Sequence, residues 1–140
     1  MLIEIAAAVS VIAADQASKA FVLSRSWPAD SNAGFLSVRK VLMRRGPLMF
    51  YFTPWMHVGL WIASIAIAAV LVRAGMIAEN ARNAAAIGTA LGGAAGNIAD
   101  RLRRGAIVDF IAIGRCPPFN LADVAIVAGV GTLVWSLVAT

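Results

Sequence analysis

The most regular feature of the chain is a series of long apolar runs separated by shorter polar connections. A helix needs roughly 20 residues to cross a bilayer. Four runs approach that length, at residues 1–23, 54–72, 83–99 and 119–138. The first reaches it only with its polar end, residues 15–19, and the second begins with Pro54, which suits a first helical turn. The pattern predicts a mainly α membrane protein with four transmembrane helices.

Residues 24–53 have a different pattern, because polar and turn-forming residues precede two short runs of strand character. These runs cover residues 35–43 and 48–53 and contain aromatic and β-branched residues. The intervening turn contains Arg44 and Arg45, whose charges would contact lipid phosphate groups or remain solvated. The sequence therefore predicts a small β-sheet at the membrane surface after the first helix.

The third apolar run contains a stripe of small residues. Gly88, Gly92 and Gly96 follow one another at steps of four, and Asp100 continues the same stripe. Glycines at this spacing let a neighbouring helix approach closely. The stripe therefore predicts a tight helix–helix contact, and it brings polar residues to the end of that contact, namely Asn97, Asp100 and Arg101.

Composition supports a membrane protein of one domain, residues 1–140, since 61% of the residues are hydrophobic and only 14% are charged. The net charge of +5 is spread among apolar segments without a nucleic-acid-binding motif, which favours membrane lipids as partners over nucleic acid. Glu4 replaces the basic start of a signal peptide, so we expect a retained helix. A single cysteine, Cys116, excludes an internal disulfide, and no metal-ligand spacing is present. We therefore expect no metal or other cofactor.

Two aspartates stand out because each follows apolar residues near the end of a predicted membrane segment. Asp109 follows Ile107 and Val108, and Asp123 follows Leu121 and Ala122. An ionisable group near lipid is costly and therefore indicates a function. Two adjacent carboxyls tend to share one proton, so that one activates water while the other polarises a carbonyl. The pair predicts an aspartic hydrolase.

Two further pairs have structural interpretations as well. Asp15 and Lys19 are four residues apart and form either an interfacial ion pair ending the first helix or part of the site. Asn120 and Asp123 have the spacing of a capping box at a helix start. Capping is compatible with catalysis, because the positive end of the helix favours a negative charge on Asp123.

Four short blocks together resemble the lipoprotein signal peptidases of bacteria, also called signal peptidase II. They are DQASK at 15–19, GNIADR at 96–101, GAIVDFI at 105–111 and FNLAD at 119–123. The resemblance implies that Asp109 and Asp123 are the catalytic pair. It also implies a supporting set that binds substrate or braces this pair, namely Asn97, Asp100, Arg101, Asn120, Asp15 and Lys19.

The resemblance further implies an intramembrane-type aspartic endopeptidase that uses no metal. Its substrate would be a diacylglyceryl-modified prolipoprotein, cleaved before the lipid-modified cysteine to release the signal peptide. The enzyme would be multi-pass in the bacterial cytoplasmic (inner) membrane, with its site near the outer face, and we expect a monomer.

Two features of the sequence conflict with what the resemblance implies. Arg44 stands where the family has an asparagine, which leaves a catalytically impaired, lipid-binding homologue as an alternative. Most Arg and Lys residues lie in the predicted outer loops, against the positive-inside tendency, and here the motifs decide the orientation. A small proton-coupled exporter with four helices is a second alternative. It needs an acid in the middle of a membrane helix, and the only candidate, Glu4, lies too near the start of the first helix.

Overall fold

The fold is mainly helical, with four helices and one two-stranded antiparallel sheet in the part of the chain that the structure describes. The computed structural model describes residues 1–25, 36–43, 54–77, 79–114 and 116–139, and it gives the backbone alone for 36–43. In chain order the elements are α1 (Leu2–Ser24), β1 (Leu36–Met43), α2 (Pro54–Arg73), α3 (Ala81–Arg104), β2 (Ile107–Ile113) and α4 (Leu121–Val138).

Within those described ranges, two helices are long and apolar enough to cross a membrane, α1 and α4. A shorter apolar helical segment, Val58–Arg73, lies in α2. Many of the large apolar side chains of α2 and α4 point away from the protein, for example Trp55, Ile67 and Val127. Such exposure fits a lipid environment, because hydrocarbon chains surround these side chains as favourably as a protein core does.

Helix α3 is the central element and contacts each of the other three helices. It is rich in alanine and glycine, and its buried residues include Asn83, Gly92 and Asp100. A helix surrounded by other helices needs small contact residues more than lipid-facing apolar ones. This explains why α3 is the least apolar of the predicted spans.

The predicted glycine stripe forms the contact between α3 and α1. A Cβ atom on Gly88 would overlap the backbone oxygen of Glu4, and one on Gly92 would lie 2.7 Å from Cα of Ala8. A Cβ on Gly96 would lie 2.8 Å from Oδ2 of Asp15. The contacts advance along both helices together, so α1 and α3 run parallel and their C-terminal ends meet.

Helix α4 runs antiparallel to α3. Gly93 of α3 lies against the backbone of Ala122, near the start of α4, and Gly129 of α4 lies against Ala86 and Ala90. The start of α4 therefore joins the C-terminal ends of α1 and α3 at one end of the bundle.

The sheet places β2 at that same end. β1 pairs antiparallel with β2, with Val41 opposite Asp109. On the other edge of β2, Phe119 forms an isolated antiparallel bridge with Ile111. Because Phe119 immediately precedes Asn120 and α4, this bridge holds the start of α4 beside Asp109.

The predicted elements differ from the observed ones in three places. The only partner of β1 among the described residues is β2, which the sequence analysis left as a connection, and the predicted second run, 48–53, lies outside the described residues. Helix α3 continues to Arg104, so Asp100 and Arg101 lie inside it. Gly105, in the left-handed conformation with φ of 67°, ends the helix. Helix α4 starts at Leu121, because Asn120 is its N-cap.

Candidate active site

Asp109 and Asp123 lie on either side of two asparagine side chains. Nδ2 of Asn120 donates to Oδ1 of Asp109 at 2.7 Å, and Nδ2 of Asn97 donates to Oδ1 of Asp123 at 2.8 Å. The two amides are joined, since Nδ2 of Asn120 also donates to Oδ1 of Asn97 at 3.2 Å. The structure therefore links the predicted pair through residues of β2, α3 and α4.

The start of α4 has the predicted capping box. The backbone N–H of Asp123 donates to Oδ1 of Asn120 at 3.1 Å, and the backbone N–H of Asn120 donates to Oδ2 of Asp123 at 3.2 Å. A negative charge on Asp123 is favoured at this positive end of the helix dipole. The box thus fixes the Asp123 carboxylate and leaves it half-buried beside a cavity.

Lys19 forms the centre of a second cluster behind the pair. Its Nζ lies 2.7 Å from Oδ2 of Asp15 and 2.8 Å from Oδ2 of Asp100, and all three side chains are fully buried. Nζ also donates to Oδ1 of Asn97 at 3.1 Å. The predicted Asp15–Lys19 pair is therefore an interior ion pair joined to the site, and the interfacial interpretation is wrong. A buried ammonium group needs this degree of compensation, because removal from water is costly.

Asp15 also supports the start of α4. Its Oδ1 accepts a hydrogen bond from the backbone N–H of Ala122 at 3.1 Å. The first N–H groups of a helix have no partner within the helix. A carboxylate of α1 therefore satisfies one of them and ties α1 to the segment that contains Asp123.

Two residues of this region were missed by the sequence analysis as individual contributors, Gln16 and Arg104. Nε2 of Gln16 donates to Oδ2 of Asp15 at 3.1 Å and to Oδ1 of Asp100 at 3.2 Å. Arg104 pairs with Asp100 one helical turn earlier. The available signal was the i, i+4 spacing of Asp100 and Arg104 on a helix that was predicted to end too early.

A cavity of about 260 Å³ opens beside Asp123, between α2, α3, α4 and β2. Ser64, Asn97, Arg101 and Asp123 provide its polar lining. The rest of the lining is mostly apolar and includes Leu60, Trp61, Ala94, Ile98, Ile107 and Ile126. Arg101 is buried at this cavity. An apolar pocket with a few convergent polar groups is typical of a small-ligand or substrate site.

The environment of Asp109 favours its protonated form. Asp109 is only 6% exposed, and this burial raises the pKa of its carboxyl above the ordinary value of 3.8. The charge of Asp123 raises that pKa further, while the hydrogen bond from Asn120 and the charge of Lys19 lower it. The Asp109 carboxyl therefore holds a proton more tightly than an exposed aspartate does.

This raised pKa predicts a pH-dependent stability. The folded protein binds the Asp109 proton more tightly than the unfolded chain, so the contribution is present at low pH and is lost as pH rises through the folded-state pKa. The amide of an Asp109→Asn variant cannot titrate. We therefore expect the unfolding free energy of this variant to fall less than that of the wild type between about pH 4 and about pH 8. Denaturant unfolding in detergent at several pH values measures it, and parallel pH profiles would contradict it.

In the parts of the chain that the structure describes, no group of three or more His, Cys, Asp or Glu side chains has the arrangement of a metal site. The predicted catalytic and supporting residues all lie at the end of the bundle described above. Seven are joined by hydrogen bonds or ion pairs, and Arg101 lines the cavity. Arg44 lies outside the described residues.

Comparison with known proteins decides the family. The model of the signal peptidase (SPase) II family matches residues 7–139. This chain belongs to the signal peptidase II family. Family members are aspartic peptidases that remove signal peptides from prolipoproteins. This membership confirms the resemblance and favours a peptidase over an exporter.

Similar members of the signal peptidase II family differ in how much of their length aligns. A lipoprotein signal peptidase of Anaplasma marginale (strain Florida) is 33% identical over 139 residues, covering 92% of this chain and 80% of that protein. One of Pelotomaculum thermopropionicum is 55% identical over 51 residues, so the match spans about a third, 34%, of that relative. A solved bacterial membrane enzyme has a TM-score of 0.73 at 26% identity, covering 97% of this chain and 87% of that one.

Proposed function

We propose that this chain is an aspartic endopeptidase that cleaves diacylglyceryl-modified prolipoproteins immediately before the modified cysteine, with Asp109 and Asp123 as the catalytic pair. The observation that supports it most directly is the placement of both carboxylates at one end of the bundle, held by the Asn97 and Asn120 amides. Asp123 also lines the adjoining apolar cavity. Family membership supports the same reaction.

The different surroundings of the two carboxyls suggest their roles. Asp109 is buried, which favours its neutral form, so it begins the reaction protonated and donates to the scissile carbonyl oxygen. Asp123 is held by two N–H donors, from the side chain of Asn97 and the backbone of Asn120, and begins ionised. It accepts a proton from a water molecule as the water oxygen attacks the carbonyl carbon.

The tetrahedral intermediate then collapses with the proton transfers reversed. Asp123 gives its proton to the cysteine nitrogen as the C–N bond breaks, and Asp109 regains a proton from the hydroxyl derived from the carbonyl. The products are a signal peptide with a new carboxyl terminus and a lipoprotein whose first residue is the diacylglyceryl cysteine. Both aspartates return to their starting state.

The cavity suits the apolar part of such a substrate. Leu60 and Trp61 of α2 and Ile126 of α4 line it, and Asp123 lies at its polar edge. A lipid-linked segment in this cavity would place the adjacent peptide bond beside the carboxylates. The apolar lining would also exclude bulk water, which strengthens electrostatic contacts.

The membrane arrangement is part of the proposal. All four helices would cross the bacterial cytoplasmic membrane, with the sheet of β1 and β2 at its surface and the aspartates near the outer face. The long apolar helices α1 and α4 and the similarity to a membrane enzyme support this arrangement. The chain would act as a monomer, with surrounding lipids contacting its exposed apolar side chains.

A cleavage assay with the purified protein in lipid vesicles tests the proposal. A diacylglyceryl-modified prolipoprotein is the substrate, and the same prolipoprotein without the lipid is the control. We expect cleavage of the modified form alone, with a new amino terminus at the lipidated cysteine. Binding of the modified form without cleavage would instead identify an impaired lipid-binding homologue, consistent with Arg44.

A further inference from the structure

We infer that Lys19 is a positioning residue for peptide hydrolysis, acting on Asp123 through the side-chain amide of Asn97. The inference depends on the proposed peptidase function and adds the route by which Lys19 affects Asp123 within the site. Nζ of Lys19 contacts Asp15, Asp100 and Asn97. Asn97 in turn donates to Asp123. The effect of Lys19 on the reaction therefore passes through one amide group.

The orientation of the Asn97 amide follows from its neighbours. Its Oδ1 accepts from Nζ of Lys19 at 3.1 Å and from Nδ2 of Asn120 at 3.2 Å. An ammonium group has donors and no acceptor. Rotation of the amide by half a turn would place its NH₂ against the ammonium and its oxygen against a carboxylate. Lys19 therefore holds the NH₂ group of Asn97 toward Asp123.

The Asn120 amide is fixed in a compatible orientation. Its Oδ1 accepts from the backbone N–H of Asp123 at 3.1 Å, so its Nδ2 is directed to Asp109 and Asn97. The hydrogen bonds are thus all donated in the same sense, from Lys19 to Asn97 and from Asn97 to Asp123. A hydrogen bond whose donor is already polarised by a positive group is strengthened. The network therefore orients an N–H donor toward the Asp123 carboxylate.

Lys19 is itself held in place from several sides. Its three N–H donors are matched by Asp15, Asp100 and Asn97, and no part of its side chain is exposed. Arg104, whose side chain is partly exposed, forms an ion pair with Asp100. The ammonium group is therefore fixed in one position, and a group that is itself fixed can fix the orientation of the Asn97 amide.

A double-mutant cycle distinguishes this coupling from simple structural support. The single variants are Lys19→Met and Asn97→Leu, each close in shape to the original side chain, and the third variant combines them. We expect each single change to lower kcat for prolipoprotein cleavage by about 10- to 100-fold, as for loss of a hydrogen bond to a charged group. KM of Lys19→Met should stay within about twofold of the wild type, because Lys19 does not line the cavity.

The double variant decides the question. Loss of Asn97 already removes the group through which Lys19 acts, so the double variant should be no slower than Asn97→Leu within about twofold. Asn83→Leu is the matched control, because Asn83 is a buried asparagine on the same helix, bonded to Ser136 at the opposite end. Because Asn83 lies outside this network, the fold changes in kcat caused by Asn83→Leu and Lys19→Met should multiply in the variant that combines them.

Two outcomes would overturn the inference. In the first, the fold reductions in kcat caused by Lys19→Met and Asn97→Leu multiply in the double variant. In the second, Lys19→Met raises KM and leaves kcat unchanged. Lys19→Met leaves two buried carboxylates with less compensation and risks misfolding. The cycle is therefore repeated with Lys19→Met/Asp100→Asn in place of Lys19→Met, because this pair of changes removes one positive and one negative charge together. If the wild type itself cleaves no prolipoprotein, the proposed function fails, whereas multiplication in an active enzyme removes only the role of Lys19.

Discussion

Asp109→Asn is expected to lower kcat for prolipoprotein cleavage by about 10,000-fold, the upper range for loss of a general acid or base. An amide has nearly the same shape as a carboxyl but cannot pass a proton to the scissile carbonyl. The oxygen of the new side chain still accepts from Asn120, whose donor lies 2.7 Å from Oδ1 of Asp109. The variant should therefore remain folded while losing activity. Asp123→Asn should lose activity to a similar extent, because the water loses its base.

The measurement is the initial rate of signal-peptide release by variants purified in the same detergent, with thermal unfolding as the folding check. Glu79→Gln is the matched control, since it neutralises an exposed acid just before α3, at the opposite end of that helix. It should cleave at the wild-type rate. A folded Asp109→Asn or Asp123→Asn variant with substantial activity would exclude the two-aspartate mechanism.

Gly92→Ala is expected to destabilise the protein by about 3 kcal/mol, the upper part of the usual range for overpacking. The new methyl group would lie 2.7 Å from both Cα and the carbonyl oxygen of Ala8. Backbone atoms cannot rotate away as a side chain can, so α1 and α3 must separate. That separation would also lengthen the Lys19–Asn97 contact, and cleavage should fall with stability.

The same substitution at an open site provides the comparison. A Cβ atom on Gly131 of α4 would meet no neighbouring group within 4 Å. The unfolding free energy of Gly131→Ala should therefore stay within about 1 kcal/mol of the wild-type value. Equilibrium unfolding in mixed detergent micelles measures both variants. Equal stabilities for the two would mean that the close contact of α1 with α3 does not hold the bundle together.

The sequence predicted those features that depend on near neighbours in the chain. The capping box of Asn120 and Asp123, the pairing of Asp15 with Lys19 and the glycine stripe all follow from spacings of three or four residues. Each involves a helical repeat that is visible locally. These local rules were enough to predict which end of α3 is polar and which face of it packs against another helix.

Contacts between distant segments required the structure. β1 and β2 are separated by α2 and α3, and neither strand contains a signal that selects the other. The burial of Lys19 was also not predictable, because an i, i+4 ion pair forms equally well on a solvated helix. The place of Asn97 between Lys19 and Asp123 depends on the parallel packing of α1 and α3, which the glycine spacing does not specify.

The buried ionic cluster has a consequence for how α1 and α3 come together. Asp15 and Lys19 neutralise each other within α1, and Asp100 and Arg104 do so within α3. Each of these two carboxylates therefore has a cationic partner on its own helix, independent of contact with the other helix. Packing of α1 against α3 then adds the contact between Lys19 and Asp100 to two ion pairs that can already form within the separate helices.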